Sequence, residues 1–303
     1  MSAARGVIAV IVCHYADVAV VQRVVSILVG SIDAICLVDN TPLGDGEIER
    51  LAARVPSVHY VPMHGNAGLA AGLNRGIGTA RALGARRVLL LDQDSVPEAG
   101  MVAALVDVAS SLEAAGVRVA AVGPRQRDSR TGTLSQPVVF RWFRFARASC
   151  EPGQSFVEAD FLITSGSLIA CHALERIGGM RDEFFIDHID TEWALRARRQ
   201  GFKLFVVTQA IMRHAIGETR HRVWFLRTRE VALHAPGRYY YIFRNSALLM
   251  RDAAADWKWR SAEAMRLVQL FVFLIIHHVQ RREAVAQALR GLAHGFRGHR
   301  ANR

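Results

Sequence analysis

The first 123 residues alternate apolar, strand-like runs with segments of helical spacing, and this alternation limits the fold more than any other feature. The predicted strands are Val7–Cys13, Ala34–Val38, Val58–Pro62, Arg87–Leu91 and Arg118–Gly123. The predicted helices are Asp17–Val29, Gly46–Arg54, Leu69–Leu83 and Pro97–Ala115. This order is typical of an α/β fold with an open, mostly parallel central sheet flanked by helices. Right-handed crossovers then bring the carboxyl ends of the strands to one edge, where ligands usually bind.

The rest of the chain departs from this alternation. Residues 125–135 are polar and rich in turn formers, a helix at Asp190–Arg199 and a strand at Phe202–Thr208 follow, and the chain is predicted helical from Ser246 on. We therefore predict a sheet-containing domain over residues 1–245 and a basic helical extension over residues 246–303. The four cysteines form no C-x-x-C pair. They support neither a zinc ribbon nor a redox motif, and a reducing, cytoplasmic compartment is expected.

The positive charge of the chain is concentrated near its end. The formal net charge is +11, and residues 251–303 hold nine Arg and one Lys against four acids. Such a segment favours an anionic partner, either a nucleic acid, a membrane surface or a phosphorylated substrate. The most apolar stretch, Met265–Ile276, is too short for a confident membrane span. A helix there could lie on an anionic membrane, dock on the core or join copies of the chain in a homo-oligomer.

An acidic triplet, Asp92-Gln93-Asp94, follows the fourth predicted strand. The two-residue period of a strand puts Asp92 and Asp94 on the same side as the chain leaves the sheet. Two such carboxylates repel each other unless a cation lies between them, and Mg²⁺ and Mn²⁺ prefer oxygen ligands. The alternative is that one Asp caps the next helix, although Ser95 already offers a cap there.

Two other strand ends carry polar groups. Asp39 could accept from a nucleotide base or a ribose hydroxyl, or it could form an Asx turn before Pro42. A glycine-rich passage, residues 65–76, leads from the third strand to a helix whose first backbone N–H groups favour phosphate. It matches neither the Walker pattern nor the dinucleotide fingerprint. Its small residues could equally serve close packing of the helix on the sheet.

Three acids and a histidine stand among apolar residues over Phe184–Trp193. Asp190, Asp187 or Glu192 could act as a general base. The arginines that follow on the same helix could instead pair with these acids. His214 follows a predicted strand and could complete a metal site, although a single histidine is more often structural.

Taken in this order, the motifs resemble those of the family-2 inverting glycosyltransferases with the GT-A fold, and most of all those of bacterial rhamnosyltransferases. The resemblance spans about Val7 to Asn245. The segments that carry it are Leu91–Ser95, Phe185–Trp193 and Arg238–Asn245. Many relatives have Glu-Asp where this chain has Ile189-Asp190, so the glutamate next to the base is missing.

The resemblance implies a role for each residue. Asp190 would be the base, with Asp187 or Glu192 as an auxiliary acid. The residues that bind the nucleotide-sugar donor would be Asp39, Asn66, Gly68, Asn74, Asp92 and Gln93. A divalent cation, Mg²⁺ or Mn²⁺, would be held mainly by Asp94, together with Asp92 and His214. On the acceptor side the residues would be Arg238, Tyr240 and Arg244.

The implied activity is inverting transfer of a sugar, L-rhamnose from dTDP-rhamnose, to a glycan or a lipid-linked saccharide in bacterial cell-surface polysaccharide synthesis. The implied place is the cytoplasm, with peripheral contact to the inner face of the plasma membrane. A metal-dependent nucleotidyltransferase or phosphotransferase stays open, because it could also use paired strand-end aspartates. A nucleic-acid-binding module would explain the charge, but only Arg141–Arg147 shows the alternating basic and aromatic residues that such a module needs. We therefore expect no nucleic-acid partner.

Overall fold

The computed structural model describes the backbone of residues 4–128, 131–214, 220–225 and 227–298, and the side chains of residues 6–128, 131–213 and 233–298. The first elements are β1 Ala4–Cys13, α1 Val18–Leu28, β2 Ile32–Asp39, α2 Gly46–Ala53, β3 Val58–Pro62, α3 Leu69–Ala82, β4 Arg87–Asp92, β5 Ser95–Pro97 and α4 Met101–Ala114. The middle elements are β6 Val119–Asp128, β7 Val138–Arg141, β8 Arg144–Arg147, β9 Phe156–Ala159, β10 Leu168–Ala170, α5 Cys171–Ile177, a 3₁₀ turn Asp182–Phe184, α6 Ile189–Arg199 and β11 Lys203–His214. The last are β12 Arg220–Phe225, β13 Arg227–Ala232, α7 Pro236–Arg251, α8 Trp257–His277 and α9 Arg281–Arg297.

The central sheet has the strand order β3-β2-β1-β4-β10-β6-β11-β5, and β9 also pairs with β11. Strand β10 runs antiparallel to β4 and β6, and β5 and β9 run antiparallel to β11. The remaining strands of this sheet share one direction. Residues 7–13 of β1 are buried without alternation, as expected for a strand covered on both faces. The predicted α/β class with a mostly parallel sheet is confirmed.

Two glycines let α3 approach the sheet. A Cβ atom on Gly72 would lie 2.9 Å from Val12 Cγ1, and one on Gly76 would lie 2.2 Å from Val10 Cγ1. Both distances are shorter than packed carbon atoms allow, so a larger residue would displace the helix or the strand. Close packing, the simpler interpretation of the glycine-rich passage, is therefore observed.

The helix predicted to begin at Pro97 begins at Met101 instead, because Ser95–Pro97 form the short strand β5. This strand pairs with Met212–His214 of β11. Ser95 is buried, and its Oγ accepts a 2.8 Å hydrogen bond from Ser165 Oγ. The prediction that Ser95 caps the helix was wrong, because its pairing partners lie far away in the sequence.

The chain divides into two compact units. The first holds the central sheet, and the second comprises residues 140–146, 186–188 and the described residues from 220 on. In the second unit, helices α7, α8 and α9 share an apolar core that includes Tyr239, Phe243, Leu274 and Ala288. Because α7 contributes to this core, the predicted domain boundary after residue 245 falls inside that helix.

Helix α9 packs closely on α7 through two glycines. A Cβ atom on Gly291 would lie 2.3 Å from the carbonyl oxygen of Tyr240, and one on Gly295 would lie 2.4 Å from the carbonyl oxygen of Arg244. The backbones of the two helices therefore approach each other directly. Among the helices described here, none is long and apolar enough to span a membrane.

Candidate active site

Strand ends of the first unit are joined by side-chain hydrogen bonds. His14 follows β1, and its backbone N–H donates to Gln93 Oε1 at 2.7 Å. Gln93, which follows β4, donates in return from Nε2 to the His14 carbonyl at 3.3 Å. The His14 ring continues the chain of contacts, with 3.1 Å between its Nε2 and Asn66 Nδ2.

Asn40, the residue after β2, extends this chain. Its Nδ2 donates to the Gly68 carbonyl at 3.2 Å and to Asn66 Oδ1 at 3.4 Å, and its Oδ1 accepts from the Ala67 N–H at 2.9 Å. The fold thus brings the predicted residues Asn66, Gly68 and Gln93 together at one edge of the sheet. The sequence analysis did not select His14 or Asn40, although His14 is the first polar residue after an apolar strand and Asn40 directly follows Asp39.

Asp39 organises the loop that follows β2. Its Oδ1 accepts from the Thr41 N–H at 3.0 Å, which is the Asx turn considered above, and its Oδ2 accepts from Tyr60 Oη at 2.8 Å and from the Asp45 N–H. Burial alone would raise the pKa of Asp39, but these donors outweigh it and hold the pKa below the usual range. Asp39 is therefore a buried carboxylate at the strand end, and its contact with a nucleotide base stays a prediction.

Ser165 fixes the turn that carries the acidic triplet. The backbone N–H of Asp92 donates to Ser165 Oγ at 2.9 Å, and Ser165 Oγ donates to Ser95 on the other side of the triplet. The Ser165 carbonyl in turn accepts from Gln126 Nε2 at 3.1 Å. These contacts come from β6 and from the loop before β10, so the local sequence around Asp92 gave no sign of them.

The carboxylate oxygens of this turn are suitable ligands for a hard divalent cation. Asp92 and Asp94 are both partly accessible. The β5–β11 pairing sets His214 opposite Ser95, next to Asp94 in the chain. Within the described side chains, no group of three or more His, Cys, Asp or Glu residues gathers around a common point. The His214 side chain lies outside the described ones, so its role as a ligand stays a prediction.

The beginning of α3 is closed by the segment before α6. The Leu69 and Ala70 N–H groups donate to the Phe185 carbonyl at 2.6 and 3.4 Å. Gly68 has φ +89°, and a Cβ atom there would lie 2.5 Å from the Phe185 ring. Glycine is required because it combines this backbone conformation with the close contact. A carbonyl oxygen already accepts from two of these first N–H groups, and their contact with a phosphate stays a prediction.

Asn74 binds protein backbone on the second turn of α3. Its Nδ2 donates to the Met180 carbonyl at 2.7 Å and to Asp182 Oδ1 at 2.6 Å, and its Oδ1 accepts from the Met180 N–H at 2.8 Å. These bonds fix the segment that leads to Phe185. A direct contact between Asn74 and the nucleotide stays a prediction.

Arginines hold Glu192 and Asp187 in the segment around α6. Glu192 is buried, and both of its oxygens accept from Arg196, at 2.6 and 2.8 Å. Both oxygens of Asp187 accept from Arg238, at 3.0 and 3.1 Å. Pairing with the arginines that follow on the same helix was the alternative to catalysis for these acids, and it is observed for Glu192 with Arg196. The partner of Asp187 lies instead on α7. The auxiliary catalytic role of both acids stays a prediction.

Asp190 stands at the start of α6 and lines a small cavity of the first unit. The residues that line the cavity with it include Leu90 of β4, Thr164, Ser167 and Trp193. Asp190 Oδ1 accepts from the Thr191 N–H at 2.7 Å. Since Leu90 comes two residues before Asp92 in the same strand, the fold brings Asp190 close to the strand that carries the acidic triplet.

The residues predicted on the acceptor side belong to α7. Arg238 binds Asp187, the Tyr240 hydroxyl lies 3.0 Å from His294 Nδ1, and Arg244 is fully buried with Nη1 donating to Asn245 Oδ1 at 2.9 Å. All three are thus engaged within the second unit. Their contact with an acceptor stays a prediction.

The sequence matches a known family over most of its length. The sequence model described as "Glycosyltransferase like family 2" matches residues 4–232. A protein of Shigella flexneri named "dTDP-rhamnosyl transferase RfbF" is 27% identical over 199 residues. That alignment covers 66% of this chain and 65% of the relative, so somewhat less than two thirds of the relative is matched.

Solved glycosyltransferase structures share the fold. GalNAc-T7, solved with UDP, GalNAc and Mn²⁺, is similar with a TM-score of 0.59 and 13% identity, over 90% of this chain and 58% of that one. Residues 1–349 of TarS from S. aureus are similar with a TM-score of 0.57 and 11% identity, over 95% of this chain and 80% of that one. The mannosyltransferase PcManGT of Pyrobaculum calidifontis was solved with GDP-Man and Mn²⁺. It is similar with a TM-score of 0.52 and 15% identity, over 95% of this chain and 74% of that one. At these identities the likeness concerns the fold, and the predicted GT-A architecture is confirmed.

Proposed function

The chain belongs to the glycosyltransferase-like family 2, and on this premise we propose that it transfers a sugar from a nucleotide-diphospho-sugar to an acceptor hydroxyl with inversion of configuration. The observation that carries the proposal is the common edge reached by the ends of β1, β2 and β4 and by the segment after β3. Ligands of open α/β sheets bind at such an edge. Membership of the family confirms the resemblance found in the motifs, and it favours sugar transfer over the phosphotransferase alternative.

We assign the donor to the edge that holds Asn66, Gly68 and Gln93, with the acidic triplet near the diphosphate. Hydrogen-bonding groups at strand ends support this assignment, because they are fixed before a ligand arrives. Asp39 is an ionised acceptor buried at the same edge. In this proposal Asp39 shapes the loop beside the nucleotide base. A direct contact would require an N–H or O–H group of the nucleotide to donate a hydrogen bond to the Asp39 carboxylate.

Asp190 is our candidate for the general base. Its carboxylate takes the proton of the acceptor hydroxyl while the hydroxyl oxygen bonds to the anomeric carbon, and the bond from that carbon to the diphosphate oxygen breaks. One displacement of this kind inverts the configuration, as it does when a carboxylate activates water in inverting glycosidases. The cavity that Asp190 lines together with Leu90 of β4 supports Asp190 as the residue for this task, because it sets the carboxylate beside the strand that carries the acidic triplet.

Asp94 and Asp92 would hold a divalent cation, with His214 as a further ligand. When bound, such a cation neutralises charge on the leaving diphosphate. The presence of Mn²⁺ in the solved structures of GalNAc-T7 and PcManGT supports a cation of this class here. The choice between Mg²⁺ and Mn²⁺ rests on titration.

The relative from S. flexneri supports dTDP-rhamnose as the donor and a rhamnosyl group as the transferred sugar. We propose a glycan or lipid-linked saccharide of the bacterial cell surface as the acceptor, and transfer in the cytoplasm beside the inner face of the plasma membrane. The acceptor follows from the resemblance to rhamnosyltransferases, and the place is consistent with the basic second unit.

Thermal unfolding with Mn²⁺ and dTDP, UDP or GDP tests the donor class. We expect one nucleotide diphosphate, dTDP foremost, to raise Tm in the presence of Mn²⁺, and Asp94→Asn to remove most of this shift. The matched control is Asp107→Asn, an exposed acid on α4, which should keep the shift. If none of the three nucleotides stabilised the protein, the transferase proposal would have to be given up.

A further inference from the structure

Helix α8 carries apolar residues on the side that faces away from its own unit. Its outward positions recur every three or four residues, and six large apolar side chains at or just beyond them are exposed: Trp257, Met265, Val268, Ile275, Ile276 and Val279. From Trp257 to Ile276 this stripe is about 30 Å long, at about 1.5 Å per helical residue. Helices at the surface of water-soluble proteins normally place charged residues there, and an apolar stripe of this length indicates a contact surface.

The tip of the β7–β8 hairpin adds two exposed aromatic rings beside the stripe. Trp142 and Phe143 are 57% and 61% exposed. The Phe143 N–H donates to Ser261 Oγ at 3.1 Å, which places the tip next to the first turns of α8. Phe143 has φ +61°, a conformation that bulky residues rarely adopt and that proteins retain mainly where it has a use.

Basic side chains flank both ends of this surface. Arg141 and Arg144 border the hairpin tip and Lys258 follows Trp257, and all three are exposed. At the other end, Arg281 and Arg282 begin α9 and are also exposed. The exposed acids at these ends are Asp256, whose carboxylate caps α8 through the Trp259 N–H, and Glu283. Basic groups therefore outnumber acidic ones at both ends.

We infer that this surface, the apolar stripe of α8 together with the Trp142–Phe143 tip, lies on an anionic lipid bilayer. Apolar side chains of an interfacial helix enter the boundary between headgroups and acyl chains, and tryptophan favours the same depth. Arginine and lysine at the ends would bind lipid phosphates. The inference deepens the proposed location at the membrane, but it does not depend on sugar transfer, since adsorption needs neither donor nor acceptor.

A second copy of the chain fits this surface less well. In a two-fold symmetric pair the same stripe would face itself, in either a parallel or an antiparallel arrangement. Because both ends of the stripe are basic, either arrangement would set like charges opposite each other, which weakens association. An anionic bilayer is attracted by both ends and by the stripe between them.

Vesicle flotation of the full chain tests the inference. We expect binding to vesicles of phosphatidylglycerol and phosphatidylcholine, and much weaker binding to phosphatidylcholine alone. The variant Val268→Asp/Ile276→Asp should bind the anionic vesicles at least about tenfold more weakly, because two charges would have to enter the apolar boundary. Both positions are more than half exposed, so the variant should keep the wild-type Tm. The matched control, Leu43→Asp/Leu83→Asp, changes exposed leucines of the first unit and should bind like the wild type.

A charge-reversal pair tests the basic ends. Arg281→Glu/Arg282→Glu should lower the affinity for anionic vesicles by about tenfold or more, since each basic residue near such a surface contributes substantially. The change leaves α9 intact, because acidic residues suit the first turn of a helix. Arg23→Glu/Arg54→Glu alters net charge equally on exposed sites of the first unit and should have little effect.

Several results would overturn the inference. They are failure of the wild type to bind either vesicle, equal binding of both vesicle types, and unchanged binding of the stripe variant. A dimer in light scattering that Val268→Asp/Ile276→Asp dissociates, with no vesicle binding, would assign the stripe to a second copy instead. The dTDP and Mn²⁺ thermal shift of the same variants should be unchanged, so a failed membrane contact and a failed donor site give different results.

Discussion

The first unit and helix α8 distribute polar and apolar side chains in opposite ways. In the first unit, β1 is apolar and buried along most of its length, and polar residues such as His14 and Gln93 gather where the strands end. In α8, Glu263 is buried and accepts from Arg266 and Ser246, while Val268 and Ile276 face outward. The first unit thus has polar side chains at one edge of its sheet, whereas α8 has a buried acidic side chain and exposed apolar ones.

This difference indicates what each region does. Polar groups at the strand ends, such as His14 and Gln93, are partly accessible and are held in place by hydrogen bonds, which suits a donor site. Buried Glu263 of α8 contacts the loop before α6 instead, because its Oε1 lies 3.3 Å from His188 Nε2. The same His188 nitrogen lies 2.9 Å from Ser246 Oγ of α7. Asn245 Nδ2 donates to the carbonyls of Ile186 and Asp187 in the same loop. With φ of +66° and +61° at Asp187 and His188, these contacts maintain a conformation that non-glycine residues avoid.

Replacing Asp190 by Asn should have the largest effect if the first unit holds the chemistry. We expect turnover to fall by about 10³-fold, within the usual contribution of a general base. Nucleotide binding should persist, because the amide keeps the shape of the side chain. Product formation from dTDP-rhamnose, followed by mass analysis, measures the loss. Asp107→Asn is the control, and unchanged turnover in Asp190→Asn would remove the residue from the mechanism.

Replacing Glu263 by Gln tests how much the buried ion pair of Glu263 with Arg266 stabilises the fold. Burial opposes ionisation of Glu263, but Arg266 and His188 outweigh it and hold its pKa far below the usual range. Breaking a buried pair costs about 3–5 kcal/mol, and we expect about 2–3 kcal/mol because Arg266 is 35% exposed and partly screened. Urea unfolding near neutral pH measures this loss. Glu283→Gln, at an exposed site on α9, should stay within about 0.5 kcal/mol of the wild type.

The same variant has a predicted pH dependence. Because the pKa of Glu263 is lowered by folding, its stabilising contribution is complete above the unfolded-state value, about 4.3. It is lost as the pH falls below that value toward the lower pKa of the folded state. The difference in unfolding free energy between wild type and Glu263→Gln should therefore shrink as the solution is acidified below about pH 4.3. A difference that stays constant across this range would contradict the ion-pair explanation.

Three glycine substitutions compare packing in the two units. Gly291→Ala should destabilise the protein by about 2–3 kcal/mol, because the new methyl group would meet the Tyr240 carbonyl oxygen, which is backbone. Gly76→Ala should cost slightly less, about 1–3 kcal/mol, because side-chain methyl groups of Val10 and Val38 can adjust. Gly78→Ala is the control on the same helix, where a Cβ atom meets nothing within 4 Å. It should stabilise by up to about 1 kcal/mol through helix propensity, and a similar loss at all three sites would contradict the packing argument.

Replacing Tyr60 by Phe should give the smallest effect. It removes the hydrogen bond to Asp39 and should cost about 1.5 kcal/mol, the lower range for a bond to a charged group. The pKa of Tyr60 is raised by burial and by the neighbouring Asp39, so the wild-type hydroxyl keeps its proton at neutral pH. Equilibrium unfolding measures the change, with Tyr15→Phe at an exposed site as the control. If the two variants had equal stability, the hydrogen bond from Tyr60 to Asp39 would not stabilise the fold.

Regular elements followed closely from the sequence. Val58–Pro62 has the same bounds in prediction and structure. The helix predicted over Asp17–Val29 is observed over Val18–Leu28, with Asp17 as its N-cap and Val29 as its C-cap. Such features depend on neighbours along the chain. The start of α4 was misplaced because β5 forms only through pairing with Met212–His214, and no local pattern announces a three-residue strand of that kind.

The sequence by itself determined the α/β class, the family and the order of polar strand ends, because apolar periodicity and short motifs are local properties. Only the tertiary structure decided which residues from distant parts of the chain meet: it paired Asp187 with Arg238 and set Asp190 beside β4. It also turned the apolar stripe of α8 outward. Composition could not decide this, because an apolar helix stripe has the same sequence whether it meets a core, a second copy or a membrane.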